Sequence, residues 1–286
     1  MPPTVSYRHA TAADLPAEYD VFVAAESELL DRHGFGWPAP PPRDRIQSTL
    51  RHLLAHDAER CYVAEVDGRV VGYAATWVRR ATTFLAALFI DPGAQGRGIG
   101  RGLLDRVFEA TPPKRITIAD AIQPVSNALY ARWGMLPVTP ILAFSGQAAR
   151  LPKPDVQPAP IEPHAMAVVD AAAYGFDRAV DHEYWSRQAT GTLWLGDGAP
   201  VAYSYRWPAG RIGPIAGLEP HWAAAALVAE LTRRPEGYVE IPGTSRALVR
   251  SAFDVGLRLQ APPGLLLLSE GLEAPRSIAI SSYGLM

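Results

Sequence analysis

A chain of 286 residues with one cysteine can form no internal disulfide. That residue, Cys61, opens an apolar run and reads as a small core side chain rather than a nucleophile. No apolar run approaches the ~18 residues that a membrane-crossing helix needs. The opening MPPTVSYRHA lacks the regions of a signal peptide. Basic clusters are missing too. A net charge of −2 with a pI near 6.4 argues against nucleic acid or a membrane surface as partner. These absences leave a cytoplasmic protein as the expectation. Core material is plentiful: 48% of the residues are hydrophobic and 20% charged, and the length suits two domains.

The stretch Phe84 to Ala110, FLAALFIDPGAQGRGIGRGLLDRVFEA, organises the rest. Its apolar run Phe84 to Ile90 is too short for an independent helix and predicts a strand buried on both faces. Asp91-Pro92-Gly93 ends that strand, in a turn where Asp91 reads as structural. Gln95, Gly96, Arg97, Gly98, Ile99, Gly100 and Arg101 follow, and then an amphipathic helix with Ile99, Leu103, Leu104, Val107 and Phe108 on one face. A strand feeding a glycine-rich turn into a helix points free N–H groups outward at the positive end of the helix dipole. That is an anion site, with phosphate the usual anion. The Walker pattern fails because no Lys-Ser or Lys-Thr follows the glycines. The dinucleotide pattern places Arg101 or Leu103 where its last glycine belongs.

Around this core the pattern reads strand (Val5 to His9), helix (from Thr11-x-x-Asp14 to near Gly34), and a stiff proline connection through Trp37-Pro38 and Pro40 to Pro42. A helix at Asp44 to His56 comes next, then a hairpin of 61–66 and 69–78 around Asp67-Gly68. After the central strand and helix come a strand at Arg115 to Ala119, a short helix at Asn127 to Trp133, and a last strand at Val138 to Phe144. Residues 147–163, with five prolines, read as a semi-rigid linker. Beyond it the sequence looks like a worn copy of the first half: 193–207 parallels 62–78, and Pro214 to Pro220 parallels Ala86 to Pro92. Where the first half has its glycines, the second has His221-Trp222 and a run of alanines; where the first has Tyr130, the nearest residue is Phe253. The second copy is therefore expected to have no active site of its own.

Gln95-x-x-Gly98-x-Gly100 after a strand ending Phe-Ile-Asp-Pro resembles the acyl-CoA-binding motif of the GCN5-related N-acetyltransferases, the GNAT family. The element order over residues 1–146 is similar as well. The resemblance implies an α/β GNAT fold with a mixed, mostly antiparallel sheet flanked by helices. It implies a catalytic domain at 1–146, the linker at 147–163, and a degenerate GNAT-like domain at 164–286. It implies acetyl-CoA as donor, no metal, and acetyl transfer to a primary amine, of a small molecule by preference. A non-catalytic acyl-CoA sensor and a longer acyl donor stay open. So does a homodimer.

For the site, the resemblance implies CoA phosphates on the backbone of Gln95 to Arg101 and an oxyanion N–H around Leu88, Phe89 or Ile90. Tyr130, in the segment LYARWG, would be the general acid that protonates the departing thiolate. Its other reading is a core tyrosine between Leu129 and Trp133. Gln123 stands where many relatives have asparagine, and Asn127 lies inside the helix. No acid precedes the central strand to serve as base. Asp120, Glu26, Glu28, the carboxylate of Met286 or a water relay remain, with His33 and His9 behind them. The seven tryptophans show no binding spacing.

Overall fold

The computed structural model describes residues 4–37 and 39–286. Met1 to Pro3, part of the stretch read as no signal peptide, and Pro38 of the proline connection lie outside the described residues. The chain forms two compact units: 1–117 with 122–136, and 118–121 with 137–286. Among the described residues no helix is long and apolar enough to cross a membrane.

The first unit opens with β1 (Val5–His9) and α1 (Leu15–Arg32). The capping box before α1 forms: the Thr11 backbone N–H donates to Asp14 Oδ2 at 2.8 Å, closing a short 3-10 turn. After α2 (Arg43–His56) come β2 (Cys61–Val66) and β3 (Arg69–Arg79). Asp67 and Gly68 take φ of 50° and 74° between these strands, the pair of positive values that a two-residue hairpin turn demands. Then follow β4 (Thr82–Ile90), α3 (Ile99–Val107), β5 (Lys114–Asp120) and α4 (Pro124–Arg132). β1 to β4 pair antiparallel in order, and β5 joins β4 in parallel.

Alternation along β3 divides the layers. Thr76 donates its hydroxyl to the Val107 carbonyl of α3 at 3.1 Å, so even positions face that helix. Tyr73, on the opposite face, stacks on Phe89, and Phe89 meets Phe22 of α1 edge-on. Trp77 stacks on Phe84 at 4.9 Å, both wholly buried.

The second unit takes most of β6 (Met135–Gln147), then β7 (Gln157–Ala159), α5 (Pro163–Ala173) and α6 (Ala179–Ser186). β8 (Thr190–Gly196), β9 (Ala199–Arg206), β10 (Ile212–Gly217) and α7 (Pro220–Arg233) follow. β11 (Glu236–Pro242), α8 (Arg246–Asp254), β12 (Arg258–Leu259), β13 (Gly264–Ser269) and β14 (Ile278–Ala279) complete it. β7 to β10 and β14 form one sheet in the order β14-β10-β9-β8-β7, while β6 lies between β13 and β11. The copied hairpin is evident, with Asp197 and Gly198 at φ 50° and 82°.

Two expectations are corrected. Residues 147–163, expected as a semi-rigid linker between domains, are packed into the second unit, where Ala148 and Val156 are buried and β7 pairs with β8. Pro158 fits there because β7 is an edge strand, where a missing N–H costs no ladder bond. The central strand is buried on both faces only at its start. Phe84 and Leu85 are sealed, but Leu88, Phe89 and Ile90 are half-buried.

Candidate functional site

Two irregularities shape β4. Opposite it, Ala75 pairs with Ala87 but Thr76 with Leu85, so Ala86 is an extra residue that bulges the strand. On its other edge the parallel pairing with β5 runs from Thr82↔Lys114 only to Leu85↔Thr117, whereas β4 continues to Ile90. The backbone of residues 86–90 therefore has no ladder partner on the β5 side among the described residues.

The turn after β4 is pinned from below. The Asp91 N–H donates to Val71 O at 2.9 Å, and Asp91 Oδ1 accepts from the Gly93 N–H at 2.9 Å. Asp91 is thereby a turn residue, as its place in the motif suggests. Gln95 Nε2 donates to the Ile90 carbonyl at 3.1 Å, which ties the loop to the end of the strand. Gly96 and Gly98 both adopt positive φ, 76° and 79°, where an L side chain is strained. A Cβ on either would meet nothing within 4 Å, so the space they face is open to a ligand. Gly98 is the N-cap of α3 and offers no side-chain acceptor to the first-turn N–H groups, and no acid lies in that turn. The side chains of Arg97 and Arg101 are exposed beside it, with Arg97 Nη2 on Gly93 O at 3.1 Å. Ile99, 2% exposed, anchors the helix start in the core. Two glycines of α3 differ in purpose. A Cβ on Gly100 would sit at an ordinary 3.5 Å from Leu129, but one on Gly102 would collide with the ring and hydroxyl of Tyr7.

α4 brings the remaining predicted residues. Gln123 is its N-cap, and its side-chain Oε1 is buried with no hydrogen-bond partner. Tyr130 is 5% exposed on the buried side. Leu129 packs toward Gly100 and so links α4 to the start of α3.

The base candidates scatter. Glu28 pairs with Arg32 one turn on, an exposed surface pair. Glu26 lies half-buried on α1. His33 Nδ1 sits 3.0 Å from Leu29 O, and His9 Nε2 sits 3.2 Å from Tyr62 Oη. Asp120 belongs to the second unit, where burial first and the Glu240 charge second push its carboxyl up to about 6. Met286 is buried in the same unit, its main-chain oxygen accepting from Arg178 Nη1 at 2.6 Å.

One residue escaped sequence reasoning. Glu18 is 3% exposed, and its Oε2 has no hydrogen-bond partner. Burial and then Asp14 push its pKa up to about 8, against the pull of Arg8. The signal was present: Glu18 stands three residues after Leu15 and four before Phe22, inside the apolar stripe of α1. Cys61 is the inert core thiol expected, pushed up to about 12 mainly by burial.

Residues 22–135 match the acetyltransferase (GNAT) family. A mycothiol acetyltransferase of Parafrankia sp. (strain EAN1pec) is 30% identical over 181 residues, 62% of this chain and 52% of that protein. An uncharacterized N-acetyltransferase of Methanocaldococcus jannaschii is 31% identical over 67 residues, 21% of this chain and 30% of its own. The chain thus spans about half the length of the first of these relatives and less of the second. Among solved structures, one from Pyrococcus horikoshii superposes with a TM-score of 0.78 at 18% identity, covering 99% of this chain and 96% of that one. A GCN5-related N-acetyltransferase from Sphaerobacter thermophilus gives 0.60 at 15% identity, covering 94% and 98%. At these identities the likeness is one of fold.

Proposed function

With residues 22–135 matching the acetyltransferase (GNAT) family, we propose that the chain is an acetyl-CoA-dependent N-acetyltransferase acting on the primary amine of a small molecule. One observation carries this reading: β4 leaves its parallel partner at Leu85↔Thr117 and runs on, unpaired on that edge, into the positive-φ turn at Gly96 and Gly98. An acyl-CoA has the matching polarity along its length. Its pyrophosphate suits the N–H groups of Gly96 to Arg101, with Arg97 and Arg101 adding charge. Its pantetheine amides suit the open backbone edge of 86–90, as an added strand would. A thioester carbonyl set against that edge would meet an N–H of Leu88 or Ile90, which would take the developing oxyanion charge; the Phe89 N–H, in phase with the Asp91 N–H that donates to Val71, turns toward β3 instead.

Tyr130 is the proposed acid for the departing thiolate. A thiol of pKa ~8.5 leaves fairly readily, so a phenol of pKa ~10 assists rather than enables. The acceptor amine must first lose a proton, at roughly 4–5 kcal/mol for a free alkylamine at neutral pH. The small-molecule acceptor is supported by the relative named a mycothiol acetyltransferase.

The test is release of CoA from acetyl-, propionyl- and succinyl-CoA over a panel of small amines. Turnover with acetyl-CoA and at least one amine is the expected result. Tight acetyl-CoA binding with no amine accepted would instead identify a sensor.

A further inference from the structure

The second unit, whose worn sequence suggests no site of its own, contains a cavity of about 420 Å³ between α5, α6 and β9. This lies within the range of small-ligand pockets. Ile161, Pro163, Met166 and Ala167 make an apolar wall, and His182, Ser186 and Tyr205 face them. The hydrogens of the polar side are already committed. Buried Asp170 accepts from Tyr203 Oη at 2.6 Å and from the Arg178 N–H at 3.1 Å, and it lies 2.9 Å from His182 Nε2. In the neutral imidazole a carboxylate on Nε2 holds the ring proton there, which leaves Nδ1 as the acceptor for Tyr205 Oη at 3.1 Å. Burial pushes the Tyr205 phenol up to about 12, so it keeps its proton and donates it. The Ser186 hydroxyl, 3.3 Å away, can then donate to the Tyr205 oxygen.

What faces the cavity is therefore a set of acceptors: lone pairs of Ser186 and, at the exposed rim, the carboxylates of Asp177, whose Oδ1 also accepts from the Ala179 N–H at 2.6 Å, and Glu183, which pairs with Arg187 one turn on. No lysine or arginine lines it among the described residues. Arg178, next to the rim in sequence, is wholly buried and spent on Asp181 and the main-chain oxygens of Leu285 and Met286. An anion would find carboxylates on the lining, with the nearby Arg187 guanidinium already tied to Glu183; a cation with several N–H groups and an apolar body would find both walls complementary.

We propose that this cavity is a binding site for a small organic monocation, an alkyl- or arylammonium, separate from the acyl-CoA site and needing no chemistry in the second unit. The probe is phenethylammonium, with 2-phenylethanol as its neutral counterpart of nearly the same shape, titrated calorimetrically into the full chain. The amine should bind at least tenfold more tightly than the alcohol. Ala167→Phe, which fills the cavity from its apolar wall, should weaken the amine tenfold or more. Asp177→Asn keeps the Oδ1 that accepts from the Ala179 N–H and leaves the Glu183–Arg187 pair intact while it removes a rim charge, and it should narrow the gap between amine and alcohol by at least threefold. Equal affinity for amine and alcohol overturns the proposal. So does unchanged amine affinity in a folded Ala167→Phe, which would place the probe elsewhere, an acceptor site in the first unit included. If Ala167→Phe does not fold, the rim variant decides, and an undiminished gap there overturns the proposal too. Because the readout is binding, neither result depends on whether any amine is acetylated.

Discussion

Glu18 is an acid held where water scarcely reaches, and its consequences show in stability. Its pKa rises from an ordinary 4.5 to about 8 on folding, chiefly through burial. The buried form is the neutral acid, so the fold is favoured at low pH and loses stability as pH climbs from about 4.5 through about 8. Glu18→Gln removes that dependence. Chemical denaturation at pH 5 and pH 9 should show the variant ahead of wild type by ~2–4 kcal/mol at the higher pH and level with it at the lower. A parallel pH profile for both proteins would refute this. Tyr130 answers to a different measurement. Tyr130→Phe should lower turnover ~10²-fold with little change in CoA affinity, whereas an undiminished rate would remove the phenol from the mechanism. Both residues sit on buried helix faces, yet the sequence announced them unequally. Tyr130 stands at a fixed distance from Gly134 within a motif. Glu18 belongs to no motif, and only its place between Leu15 and Phe22 in the apolar stripe of α1 marks it.

Among elements, the strand–turn–helix unit from β4 to α3 was legible almost residue by residue, since glycine, proline and apolar period all mark it. Asp67-Gly68 and Asp197-Gly198 were equally plain, because a two-residue hairpin tolerates so few alternatives. The bulge at Ala86 was not legible: an alanine among apolar residues gives no sign of which partner strand will skip it. α5, α6, β7 and β12 to β14 were missed for a related reason. Residues 147–163 have a loop's composition, and the two-residue strands β12 and β14 form only because a neighbouring edge is there to receive them. The three glycines at and near the start of α3, Gly98, Gly100 and Gly102, should separate by experiment. Gly98→Asp and Gly100→Asp should abolish CoA binding in a chain that still folds, since the first puts charge into the open space proposed for the phosphate and the second puts it beside that space, against Leu129 and Ile90. Gly102→Ala should lower the melting temperature through its collision with Tyr7. If Gly100→Asp retains CoA in a titration, the ligand lies elsewhere.

For the molecule as a whole, two similar halves in series was the natural expectation from the sequence. The connectivity is less tidy, since the chain passes from one unit to the other after residues 117, 121 and 136. Cutting after residue 146 removes β11, which pairs with β6 from Ile141 to Gln147. A 1–146 fragment should therefore aggregate, or give a poorly dispersed amide spectrum, with the flank of β6 bare. A well-dispersed spectrum from a monomeric fragment would show that β6 needs no such neighbour. The sequence hid this because a strand's own residues do not name the strand that will lie beside it.

β6 waits for its neighbours during synthesis as well. Roughly ninety residues separate the end of β6 at Gln147 from the start of β11 at Glu236, and β13 comes later still. At the ~5–20 residues per second of a working ribosome, the strand stays uncovered for seconds after it emerges. In that interval a nascent-chain chaperone has its longest opportunity to bind, and a ribosome stalled before residue 236 would release a product whose sticky edge marks it for degradation.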